Sequence, residues 1–235
     1  MSTSPKPSGS SPANWRALRG SLWLDYCLSR SGVTPYRFAV DYMADDNADS
    51  RLVSKWLSGK ASPTRASALR VAGLPDRRRR EPAKSLPNSI WLFDAASLLG
   101  PEAPTRKRVT ALIDERLSKV GASSWRWNFP DEDVPLSYAS TRYDVVELEA
   151  RADIWGLLAL VCLMWEAELL HLGTIHAELF KAANRMVANT IKPPWALTYQ
   201  AAISSLIPEF RGRVLLTYLL LDSSGSERQV GSLGP

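Results

Sequence analysis

Few side chains in this sequence stand where they could do chemistry of their own. The two histidines, His171 and His176, are five residues apart, which places them about 140° apart around a helix, too far to share a metal ion. Glu168-Leu-Leu-His171 fits the Glu-x-x-His element of helical di-iron sites, but such a site needs a second copy and two further glutamates, and this copy stands alone. The histidines therefore read as structural. Cys162 lies within the apolar run Ile154 to Trp165, where burial raises a thiol pKa and lowers its reactivity. Asp131, Glu132 and Asp133 read as acidic surface. Glycine-rich phosphate loops and serine-centred elbows are absent. No catalytic set, cofactor site or metal site is expected, and the chain does not read as an enzyme.

What remains is recognition of anions and base edges by cationic side chains. Arg51, Lys55, Lys60, Arg65 and the run Arg77-Arg78-Arg79-Arg80 all fall in one part of the chain. Residues 1 to 88 hold 15 Lys and Arg against 7 Asp and Glu, a net of +8, while the whole chain carries +5, which leaves −3 for the rest. Basic character concentrated in this way points to nucleic acid. The acids Asp41, Asp45, Asp46 and Asp49 lie close to these cations and oppose that reading.

Two short amphipathic segments must position the cations. In Thr34 to Lys60, Thr34 can cap a helix whose first turn takes Pro35, and Phe38, Ala39 and Tyr42 recur on one face. After the break at Met43 to Ala48, Asp49 or Ser50 can cap a second helix. Its apolar stripe is Leu52, Val53, Trp56 and Leu57, leaving Arg51, Ser54, Lys55 and Ser58 towards solvent. Gly59 is a left-handed stop. Upstream, Trp23, Leu24, Cys27 and Leu28 form a further stripe; downstream, Ser62-Pro63-Thr64 restarts a helix carrying Ala66, Leu69, Val71 and Ala72. A bundle of four helices over about residues 17 to 74 follows.

This stretch resembles the lambda-repressor-like (Cro-type) helix-turn-helix domains, through Gly32-Val33-Thr34, Ala39, Val53, Trp56, Gly59-Lys60 and Pro63. Its turn is longer than the tight turn of that family, and Met43 stands where a glycine is usual. The resemblance implies that the leading residues of the second helix, Ser50, Arg51, Ser54 and Lys55, face base edges in the major groove. A guanidinium such as that of Arg51 binds both acceptors of guanine, a contact worth about 1–3 kcal/mol of discrimination. It also implies that Lys60, Thr64 and Arg65 grip the DNA backbone. Arg77, Arg78, Arg79 and Arg80 would add phosphate contacts from a basic arm.

The rest of the chain reads as five pieces: a disordered Ser/Pro-rich tail over 1–13, the helix-turn-helix domain over 14–74, a Pro-punctuated basic linker over 75–87, a helical domain over 88–222, and a disordered tail over 223–235. The run Ile154 to Trp165 falls short of the roughly 20 residues that span a bilayer, so it is expected as a buried core helix and no membrane is implied. Ile90 to Leu99, Arg106 to Val120, Ile175 to Val187, Trp195 to Leu206 and Phe210 to Leu221 are expected to cover it. Trp125 and Trp127 are expected at a core edge; exposed, they would stack on nucleobases or anchor a partner. Two cysteines in apolar segments and the lack of a secretory leader point to a cytoplasmic protein.

The expected fold class is all-α, a helix-turn-helix bundle followed by a helical domain. The expected function is a DNA-binding transcriptional regulator of bacterial or phage-related type, acting on double-stranded DNA as a homodimer without cofactor. Its second domain would serve self-association, an effector or a protein partner. The alternative is a protein-interaction module, such as a toxin-antitoxin, phage-defence or prophage accessory component, whose helix-turn-helix does not read DNA.

Overall fold

The computed structural model describes residues 12–44, 50–58, 60–74, 82–100, 102–129, 137–189, 199–200 and 202–204, with the side chains of residues 12–14, 50, 51, 137 and 138 left aside. Residues 1–11, the expected C-terminal tail, the turn residues Asp45, Asp46 and Asp49, the stop at Gly59, the Arg77–Arg80 run, the cluster Asp131 to Asp133 and the helix at 210–221 lie outside the described residues, as does most of the helix at 195–206; Pro12 and Ala13, expected in the N-terminal tail, begin a helix instead. The described part is mostly helical. The chain divides into two compact units, Met1–Glu102 and Ala103–Pro235.

The first unit holds α1 (Pro12–Ser31), α2 (Pro35–Met43), α3 (Ser50–Leu57), α4 (Arg65–Val71) and α5 (Ser89–Ala96), the last running into a 3-10 turn at Ser97–Leu99. Thr34 caps α2 by accepting from the Arg37 N–H at 3.3 Å, with Pro35 at the first position. Thr64 caps α4 in the same way, accepting from the Ser67 N–H at 3.2 Å. The core is aromatic. The Trp23 ring meets Trp56 edge-on at 6.1 Å and Phe93 edge-on at 5.8 Å, which ties α3 and α5 to α1. Pro63 presses on α1 at Gly20, where a Cβ would lie 2.4 Å from the proline ring, so only glycine admits that approach.

Phe93 corrects the expected domain boundary. The stretch Ile90 to Leu99 belongs to the first unit, because Trp91, Leu92, Phe93, Ala95 and Ala96 are all buried in a helix that packs on α1 and α4. The division falls after Glu102 rather than before residue 88. The end of the expected linker is also anchored. The Lys84 N–H donates to the Asp41 carbonyl at 3.0 Å and the Leu86 N–H to the Val71 carbonyl at 2.7 Å, so residues 82–88 are part of the first unit.

The second unit is built on α8 (Ile154–Leu169), with α6 (Arg106–Arg116), α7 (Val146–Arg151) and α9 (Gly173–Ala188) packed against it. Every residue of α8 from Ile154 to Ala167 is buried, as the uninterrupted apolar run requires. Asp153 caps it, its carboxylate accepting from the Gly156 N–H at 2.7 Å.

A small antiparallel sheet of β1 (Leu117–Val120), β2 (Ser124–Trp127) and β3 (Ser137–Ala139), in that order, corrects both the all-helical second domain and the helix expected to run to Val120. At Leu117 the backbone turns extended, pairs with Trp127 and reverses at Gly121, whose φ is +74°. Burial of Trp127, stacked on Phe129 at 5.5 Å, explains why the strand prevails over local helix propensity. Trp127 is therefore core, and Trp125 is half-buried with the Arg142 guanidinium 5.9 Å from its ring. Among the described residues, no helix is long and apolar enough to cross a membrane.

Candidate nucleic-acid interface

Of the cations singled out by their positions, Arg51 and Lys55 lie on α3 and Lys60 just beyond its end. This helix has eight residues, too few to hold its shape unaided. It is fixed by two side chains, Val53 and Trp56, both fully buried as α3 packs on α1 and α2. Leu52 and Leu57 are 38% and 44% exposed, so the expected four-residue stripe is corrected to two anchors with a leucine on either side. The axial rotation of 100° per residue explains this: Val53 and Trp56 lie 60° apart, and each leucine falls well off their midline.

The opposite face is polar. Ser54, Lys55 and Ser58 are exposed, and Lys60 beyond the helix end is exposed too. The Ser58 hydroxyl donates to the Lys55 carbonyl at 3.2 Å and the Ala61 N–H reaches the same oxygen, which closes the C-terminal turn. Lys55 and Lys60 make no ion pair with any described residue. Ser50 and Arg51 occupy the first turn of α3, but their side chains lie outside the described residues, as do Arg77, Arg78, Arg79 and Arg80.

Two residues expected to grip a DNA backbone have partners inside the protein. The Thr64 hydroxyl is occupied as the α4 cap and shares a hydrogen bond with the Ser67 hydroxyl at 3.0 Å. Arg65 turns its guanidinium to Asp94 on α5, with three contacts of 2.8–3.0 Å. That fork holds the Arg65 pKa above its usual value, partial burial opposing. A phosphate at Arg65 would have to compete with a carboxylate already in place.

One acid that opposed the nucleic-acid reading behaves differently in the fold. Asp41 is buried, accepts from Arg37 Nε at 3.0 Å and pairs with Lys84 Nζ at 3.3 Å. Its charge is compensated by two cations and withdrawn from the surface. The Arg37–Asp41 spacing of four is the signal that could have shown this. Lys84 and Asp94 offered none, because their partners are distant in sequence and only the packing of α5 and residues 82–88 brings them near.

No family model, curated protein or solved structure matches the chain. The site therefore rests on its own geometry.

The groups weighed for catalysis sit elsewhere. Cys162 is buried in α8, and burial, with the Glu166 carboxylate nearby, pushes its thiol well above the usual range, so the neutral form is held. His176 is buried with Nε2 3.8 Å from Glu168, while His171 is exposed in a left-handed turn at φ +57°. Among the described residues no group of three His, Cys, Asp or Glu is placed to hold a metal ion.

Proposed function

We propose that this protein is a DNA-binding regulator whose α3 enters the major groove, with Ser50, Arg51, Ser54 and Lys55 towards base edges and Lys60 towards phosphate. The observation that supports it best is the face formed by Ser54, Lys55 and Ser58, exposed on a helix that Val53 and Trp56 fix in the bundle. Compensation of Asp41 removes one of the acids that would repel a duplex. In this reading the second unit serves self-association or receives a signal, because two heads on one chain pair multiply affinity through effective concentration.

A titration of binding to random-sequence duplex against salt, read by fluorescence anisotropy, tests it. Neutralising Arg51 and Lys55 together is expected to flatten the log–log slope by roughly 0.9 for each lost phosphate contact and to relax any sequence preference. Absence of binding at low salt, or binding unchanged in the double variant, overturns the reading.

A second reading has one observation in its favour. Leu52 and Leu57 are exposed on the same short helix, and apolar side chains beside a polar face suit a protein partner. Replacing both leucines with Ser would then abolish partner binding, whereas it would leave the salt dependence of duplex binding intact.

A further inference from the structure

The first turn of α6 carries Arg106, Lys107 and Arg108 in succession, all exposed, with no acid in that turn. Cations there are misplaced by the energetics of the helix itself, since the N-terminal end of the macrodipole is positive. The acids of α6, Asp114 and Glu115, stand at the other end, where they are also disfavoured. The cap does not relieve the crowding, because Thr105 is neutral: its hydroxyl accepts from the Arg108 N–H at 3.4 Å and its carbonyl from the Arg108 and Val109 N–H groups. What holds the helix is its other face, with Val109, Leu112 and Ile113 buried in a helix packed on α8.

Five of the other described cations of the second unit close into ion pairs. Arg116 pairs with Glu115, Arg142 with Glu166, Arg151 with Asp153, Lys181 with Glu178 and Arg185 with Glu149. Arg106 and Lys107 make no ion pair with any described residue. They stand in the second unit, where residues 103–235 hold 14 Lys and Arg against 15 Asp and Glu, a net of −1. Exposed cations placed against the helix dipole, with Arg106 and Lys107 outside any ion pair among the described residues, fit a polyanion.

We propose that the side chains of Arg106 and Lys107, flanked by Arg108, form a second phosphate-contacting patch for nucleic acid, carried by the second unit. This rests on the reading of α3 as a DNA-binding element, and it assigns the second unit a direct share in binding. Contacts of this kind read no sequence; they add affinity and salt dependence. A second patch on the same chain also raises the effective concentration of the first at the duplex.

The test uses the full-length chain, a random-sequence duplex and salt titration by anisotropy, with three variants measured beside the wild type. R106Q/K107Q is expected to flatten the log–log slope by about two units and to weaken binding on the order of ten- to a hundredfold at about 0.1 M salt. Its melting temperature should hold or rise, because two cations leave the positive end of a helix, so lost binding is not lost fold. K181Q, which removes a paired cation from α9, should bind as wild type. R51Q/K55Q reports on α3 alone.

An unchanged slope in R106Q/K107Q, with wild-type binding intact and R51Q/K55Q impaired, overturns the α6 patch and leaves the proposed function standing. Impairment of R106Q/K107Q with R51Q/K55Q unaffected supports the patch and overturns the α3 reading. No wild-type binding at low salt overturns both. If R106Q/K107Q instead loses binding to vesicles containing phosphatidylserine while its duplex binding is unchanged, the patch belongs to a lipid surface and the nucleic-acid assignment falls.

Discussion

Helices α3 and α8 show two ways of using a helix. All of α8 from Ile154 to Ala167 is buried, so it has no side left with which to meet a partner, and the charges around it are closed into pairs such as Arg142 with Glu166 at 2.7 Å. By contrast, α3 spends Val53 and Trp56 on the core and displays Leu52, Ser54, Lys55 and Leu57, with Lys55 making no ion pair among the described residues. The difference separates scaffold from display. A helix buried all round holds its neighbours in place, whereas a short helix on two anchors can change its exposed residues without cost to the fold.

Substitutions on opposite sides of each helix test this most severely. Trp56→Ala, which removes the larger anchor of α3, is expected to cost about 3–5 kcal/mol. Leu158→Ala and Leu160→Ala lie some 200° apart around α8 and are both fully buried, so each should cost about 2–5 kcal/mol. Lys55→Ala, across α3 from Trp56, should stay within about 0.5 kcal/mol. Urea unfolding measures all four. A tolerant side on α8, or a Lys55→Ala penalty like that of Trp56→Ala, would break the comparison.

Ion pairs sharpen it at smaller magnitude. Glu166 is buried, so Glu166→Ala leaves Arg142 without its bidentate partner and should cost about 3 kcal/mol, the low end for a broken buried pair because Arg142 keeps some solvent. In the first unit Asp94→Ala frees Arg65, which is largely exposed already, and about 1 kcal/mol is expected. Equal losses in the two variants would show that burial does not distinguish these pairs.

Much of the scaffold was legible in sequence because its signals are local. Thr34-Pro35 and Thr64 announce helix starts, and a twelve-residue apolar run admits only a buried helix. The position of α5 was not legible. Its burial in the first unit depends on Trp23 meeting Phe93, and no pattern in Ile90 to Leu99 says which core it joins. Of the sheet, Leu117 to Val120 continues a helical pattern and becomes a strand only through its pairing with β2. At the candidate interface, exposure of Ser54, Lys55 and Ser58 followed from helical periodicity. The capture of Arg65 by Asp94 and of Asp41 by Lys84 did not, because charged side chains 29 and 43 residues apart meet only after the core has set their distance.

Acid should unfold the second unit through pairs whose closure the comparison stresses, and this is the smallest effect expected. Arg185 donates to both oxygens of Glu149, at 2.6 and 2.8 Å, and holds its carboxyl below the usual range, with partial burial opposing. Partial burial would raise Asp144, yet its hydrogen bonds from the Ser140 N–H and hydroxyl and the Val146 N–H bring the net shift downward. A carboxyl with a depressed folded pKa binds its proton more readily in the unfolded chain. Its stabilisation is complete above the unfolded pKa and is lost as pH falls through the folded one. The melting temperature should therefore be flat above about pH 5 and fall below about pH 4, and Glu149→Gln should flatten that fall. Because Arg185 is half exposed, added salt should shrink the difference between wild type and variant. Hydrogen exchange of α7 and α9 locates the effect, since Glu149 and Arg185 join these two helices. Identical acid profiles for wild type and Glu149→Gln would mean that this pair contributes nothing to closing the second unit, and that α8 is held by apolar burial alone.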